Sequence, residues 1–298
     1  MTVASELERT PVPQAAVVPG WTPPRWMRRL ASWAVDGWAV LALLYLFAPI
    51  AVIVVFSFNR PVGKFNFVWN RFTLDNWRHP FAEGDLVDAL VVSLQVAAVA
   101  AVVATAFGAL MSLALVRYRF RGSGLVNLLI VLPLTTPEIV LGSSLLTLFL
   151  TPPQPHSSFA WMWHDERGFR TIVIAHIMFC VSFVALTMKA RMRGLDWTLE
   201  DAAMDLGASP LRTFRKVTLP MIAPGILAAA LLSFALSLDD FIITLFVRGD
   251  VNTFPIQVYG ASRTEVPPQI NVLATMILVA SVALLGVGTA WKAYRERG

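Results

Sequence analysis

Six apolar runs constrain what this chain can fold into. They lie near residues 34–57, 88–116, 125–150, 171–188, 222–247 and 270–291. Runs of this length suit helices that cross about 30 Å of hydrocarbon at about 1.5 Å per residue. The fourth is the shortest and carries His176. Composition agrees: 14% of the 298 residues are charged and 56% are hydrophobic, whereas soluble domains carry about 25% charged residues. The expected fold class is therefore an all-α integral membrane protein with six transmembrane helices.

Alternate connections differ in basic content, which sets orientation. Sixteen of the 24 Lys and Arg residues fall on the side of the two termini, including Arg117, Arg119, Arg121, Lys189, Arg191, Arg193, Arg212, Arg215 and Lys216. The other side holds eight: Arg60, Lys64, Arg71, Arg78, Arg167, Arg170, Arg248 and Arg263. Both termini are thus expected in the cytoplasm. The net charge of +5 is accounted for by topology, with no nucleic-acid partner. The opening stretch is polar and Pro-rich, and the apolar run after it is too long for the 7–15-residue core of a signal peptide. Residues 1–30 are read as a flexible cytoplasmic tail, 31–87 as the first span with its external loop, 88–291 as the main transmembrane domain, and 292–298 as a cytoplasmic end. Trp161 and Trp163 suit an interfacial anchor or an aromatic contact for a cation. His156, His164 and His176 lack metal-ligand spacing and are expected as loop or packed residues. Cys180 is the single cysteine, so there is no disulfide framework.

The cytoplasmic connection 189–221 is too long for a turn. Thr198 followed by Asp201 suits an acidic variant of the capping box, and Leu199, Ala202, Ala203 and Leu206 repeat at helical spacing. Gly207 stands where a left-handed helix-ending residue belongs. Ser209 and Pro210 then suit the cap and first position of a second helix, which Pro220 is expected to stop before the fifth span. The result is a helix–Gly–helix hairpin with an apolar face, suited to docking a soluble partner or to lying on the membrane surface.

Asp201-Ala202-Ala203, Gly207 and Leu219-Pro220 keep the spacing of the EAA loop of bacterial ABC-importer permeases, and the chain resembles that family. The family's glutamate aligns with Asp201, while Glu200 sits one residue earlier. RFTLDNW (71–77) also looks like the segment that follows the first span of these permeases. DAAMDLGASPLRTFRKVTLPMIAPG continuing into LSFALSLDDFIITLFVRG, with AHIMFCVSFVAL and INVLATMILVA, resembles the polyamine branch, that is, putrescine and spermidine permeases. The resemblance implies a type I importer permease fold in the bacterial inner membrane. It also implies a homologous second permease, most simply as a heterodimer, two cytoplasmic ATPases and a periplasmic or extracellular polyamine-binding protein. Glu200, Asp201, Ala202, Ala203, Gly207, Ala208, Ser209, Pro210, Leu219 and Pro220 would form the ATPase-coupling loop.

The chain has no Walker A loop. Its only Gly-Lys pair, Gly63-Lys64, precedes Phe65, and there is no zinc-helix motif or nucleophile elbow. It is therefore expected to be non-catalytic, with ATP and Mg held by the partner ATPase and no cofactor of its own.

Acids inside the apolar runs remain to be explained. A carboxylate at the bilayer centre costs roughly 2.5–3.5 kcal/mol on insertion scales. Asp239 and Asp240, about 100° apart around a helix, cannot share one stripe. One could face the translocation path while the other bonds within the bundle, for example Asp240 to Thr244. Alternatively, both satisfy neighbouring helices. Glu138, after Pro133 and Pro137 at a bend in the third span, is the other candidate for a path that a polycation needs to be acidic. The alternatives are an ABC permease for another small cationic or neutral solute, or a secondary transporter with no ATPase. No Lys or Arg lies in the core of a span, which argues against an anion.

Overall fold

A computed structural model describes residues 24–118, 120–151 and 167–295. The early tail and Trp161, Trp163, His156 and His164 lie outside these residues. Two compact units separate, Met1–Ile53 and Val54–Gly298. The first contains most of α1 (Arg25–Phe56), whose apolar side chains, among them Trp33, Leu44 and Tyr45, are exposed. A helix this apolar suits a lipid environment.

The described residues of the second unit are mostly helical, with isolated bridges at Asn59–Phe72 and Phe65–Val266. It comprises α2 (Asp75–Arg78), α3 (Gly84–Arg117), α4 (Ser123–Thr135), α5 (Glu138–Leu150), α6 (Phe169–Met192), α7 (Thr198–Asp205) and α8 (Pro210–Thr213), then a π-helical turn (Phe214–Thr218), α9 (Leu219–Asp239), α10 (Ile242–Val247), α11 (Phe254–Thr264) and α12 (Pro268–Arg295). Among the described residues, four helices are long and apolar enough to cross a membrane, or up to 5 if the bent pair α4–α5 counts as one span. The described apolar part of α12, Pro268–Ala283, is shorter.

The core forms where α3, α6 and α9 pack on one another. Small residues make the close approach possible: α3 buries Ala89, Ser93, Ala97, Ala100, Ala104, Gly108 and Ser112, spaced three or four apart. A Cβ on Gly108 would lie 2.6 Å from Val184 Cγ1 and 3.1 Å from the Ala185 backbone nitrogen. One turn further, the Ser112 hydroxyl donates to the Ala185 carbonyl at 2.8 Å. Close backbones with an occasional polar bond are how helices associate where the hydrophobic effect gives no drive.

Three sequence expectations need correction. The fifth run is not one helix: α9 ends at Asp239 and α10 starts at Ile242. Pro220 stops nothing, because the run Pro210–Asp239 continues through it. The π-helical turn immediately before Pro220 absorbs the altered register where proline offers no N–H. Thr198 is the first residue of α7, not its cap. The Asp196 carboxylate takes over that role, accepting the Thr198 N–H at 3.1 Å and its hydroxyl at 2.7 Å. The expected bend at Pro133 and Pro137 is present and amounts to 109° between α4 and α5.

Candidate functional site

Two places hold the residues with functional potential: the interrupted membrane helices and the hairpin between α6 and α9.

Asp240 sits in the break between α9 and α10 with extended backbone (φ −62°, ψ 123°). Its Oδ2 accepts the Thr244 N–H and the Thr244 hydroxyl, each at 2.8 Å. His176 of α6 approaches the same oxygen, with Nε2 at 3.2 Å. The imidazole is buried, with Nδ1 2.7 Å from Ser237 Oγ and Nε2 2.9 Å from Thr244 Oγ1. Because the single Thr244 hydroxyl proton goes to Asp240, Nε2 is the donor toward Thr244. Asp240 is thus enclosed by donors, its side chain 5% exposed. Asp239, one residue earlier, is exposed and has no cation within ion-pairing reach among the described residues. The two acids are therefore separated, by the break that takes Asp240 off the helix ending at Asp239.

Glu138 is the first residue of α5 and is exposed. Nearby hydroxyls bond to carbonyls of their own helices. Thr136 donates to Leu132, and Ser143 and Ser144 donate to Val140. The short helices α5 and α10 pack together, and a Cβ on Gly142 would come 2.6 Å from Phe246 Cδ2. Each follows a break that bears an acid. At each break the preceding helix ends with carbonyls that lack intrahelical partners and carry the negative end of its dipole.

In the hairpin, Gly207 adopts φ +83°, the left-handed turn expected of it. Ser209 and Pro210 occupy the cap and first positions of α8, although the Ser209 side chain makes no capping bond. Leu206 is 90% and Leu211 68% exposed. Leu199 and Met204 are also exposed, as are Asp201, Ala202, Ser209, Pro210, Leu219 and Pro220, while Ala203 and Ala208 are half-buried. Glu200 is different. It is buried, its Oε2 lies 3.3 Å from Arg117 Nε, and its Oε1 accepts the Thr218 hydroxyl. Asp201 meets the same guanidinium, Nη2 to Oδ1 at 3.2 Å.

Sequence reasoning missed His176 and Arg117. The available signal was that a buried acid needs a partner. Which helix would supply that partner depends on tertiary register.

Residues 93–297 match the family described as the binding-protein-dependent transport system inner membrane component. The chain is 40% identical over 260 residues to the putrescine transport system permease protein PotI of Escherichia coli K12, covering 85% of this chain and 89% of that protein. It is 35% identical to the spermidine/putrescine transport system permease protein PotC of Haemophilus influenzae, covering 81% and 89% respectively. PotC of Escherichia coli K12 is 34% identical, with 84% and 90% covered. Among solved structures, a bacterial ABC transporter involved in import of the acidic polysaccharide alginate superposes with a TM-score of 0.61 at 16% identity, covering 92% of this chain and 99% of that one. At that identity the likeness concerns the fold.

Proposed function

Since the chain belongs to the family of binding-protein-dependent transport inner membrane components, we propose that it passes polyamines, putrescine or spermidine, through the bacterial inner membrane as one permease of an ATP-driven importer. As a permease it does no chemistry of its own; hydrolysis belongs to two partner ATPases. In this reading six spans place both termini in the cytoplasm, a second homologous permease completes the path, and a polyamine-binding protein delivers cargo from outside.

The observation that carries the cargo assignment is the pairing of an exposed carboxylate with each helix break. Asp239 is the last residue of α9, and Glu138 opens α5 three residues after the end of α4, so both lie at helix interruptions. Interrupted membrane helices place ion sites in this manner, with free carbonyls and carboxylates favouring cations. A diamine or triamine losing water in a low-dielectric passage needs such countercharge, and weak, separated contacts let it move on. Asp240 serves differently: it is held by Thr244 and His176 and fixes the break that presents Asp239.

Alternating access requires a push from the cytoplasmic side. The exposed apolar tip of the hairpin, Leu206 and Leu211, and the residues from Glu200 to Pro210 that build it, supply the docking surface for an ATPase. Uptake of labelled putrescine by the whole importer tests the reading. Asp239→Asn is expected to lower uptake sharply while the protein remains in the membrane. Normal uptake by Asp239→Asn and by Glu138→Gln would remove the acidic path.

A further inference from the structure

Arg117 is the last residue of α3, and its guanidinium touches three residues of the hairpin. Nε meets Glu200 at 3.3 Å, Nη2 meets Asp201 at 3.2 Å, and the guanidinium carbon lies over the Trp197 ring, 5.7 Å from its centroid. A planar fork can hold two carboxylates and an aromatic face at once, which a lysine ammonium cannot do. Glu200 passes the connection on: its other oxygen takes the hydroxyl of Thr218 in the π-helical turn that feeds α9.

The hairpin follows α6 and precedes α9 in the chain, so any displacement of it pulls on those two helices through the backbone. α3 has no such covalent route, yet it packs along both α6 and α9. If α3 stayed behind when the other two moved, the tight contact of Gly108 with Val184 and Ala185 would have to shear.

We propose that Arg117 is a positioning residue for energy coupling. It locks α3 to the hairpin, so that a displacement imposed from the cytoplasm moves α3, α6 and α9 together. The inference rests on the reading that the hairpin receives an ATPase.

The test uses the complete importer, with ATPases, second permease and binding protein, in proteoliposomes. Putrescine uptake and binding-protein-stimulated ATP hydrolysis are measured together. Arg117→Ala is expected to retain stimulated hydrolysis while uptake per ATP falls roughly tenfold, within the span of measured couplings between sites. Arg117→Lys, which keeps the charge and gives up the fork, should lie between. A proportional fall of uptake and hydrolysis, or an unchanged ratio in both variants, overturns the clamp. Should Arg117→Ala fail to assemble, the Arg117→Lys ratio decides alone. Leu206→Asp at the tip separates this inference from its premise: if that variant still binds ATPase and couples normally, the docking reading is at fault.

Discussion

A carboxylate carried into a membrane segment must find donors or surrender its charge. Asp240 finds them on Thr244 and His176, and its removal leaves the Thr244 N–H and hydroxyl without their acceptor. Such orphaned groups cost about 1–3 kcal/mol each. His176→Ala and Asp240→Ala should therefore lower the thermal midpoint of the purified protein, whereas Asp239→Asn should leave it nearly unchanged and act on uptake alone. Equal midpoints for all three would show that the buried cluster holds nothing together. A second acid lies outside the membrane. Hydrogen bonds from the Thr198 hydroxyl and N–H hold the Asp196 carboxyl below its ordinary value. A depressed carboxyl contributes stability above its unfolded value near about 3.9 and loses it as pH falls further. The hairpin should thus keep this cap throughout the range from neutral to about pH 5. At this scale the acids were visible in the sequence because charge in an apolar run is conspicuous. Their partner was not, because nothing in AHIMF announces which face of α6 meets α10.

Elements differ in how openly their sequence declares them. The bend between α4 and α5 follows from Pro133 and Pro137, which remove donors and crowd the preceding turn. The break between α9 and α10 has no proline or glycine at 239–241. It is maintained by side chains from two helices, so local propensity could not reveal it. Pro220 was misleading for a related reason: the π-helical turn upstream accommodates it and the helix runs on. Packing leaves a firmer expectation. A Cβ at Gly108 strikes Val184 and the Ala185 backbone, while one at Gly124 meets nothing within 4 Å. Overpacking of a close helix contact costs typically about 1–3 kcal/mol. Gly108→Val should lower the melting temperature in detergent and reduce membrane yield, with Gly124→Val as a tolerated control. Indistinguishable melting of the two variants would mean that α3 and α6 are not in the close contact described.

For the molecule as a whole, the question is how a chain without a motor is driven. The side chains on the proposed docking surface answer in terms of kind of force. Leu206 and Leu211 are exposed, and the basic residues Arg212, Arg215 and Lys216 lie exposed just beyond them. Burial of one leucine contributes about 1.5–3 kcal/mol, or roughly 10- to 150-fold in affinity. Exposed basic residues contribute less and are screened within about 10 Å at 0.1 M salt. Attachment of the ATPase should therefore be governed by the leucines. In a pull-down of the assembled importer, Leu206→Asp should release the ATPase at salt concentrations that leave the parent complex intact, and Leu206→Met should retain it. The parent complex should survive 0.5 M NaCl. If instead salt alone dissociates it and Leu206→Asp has no effect, the basic flank and not the apolar tip carries the contact. The push on the helices would then enter through the residues around Arg215.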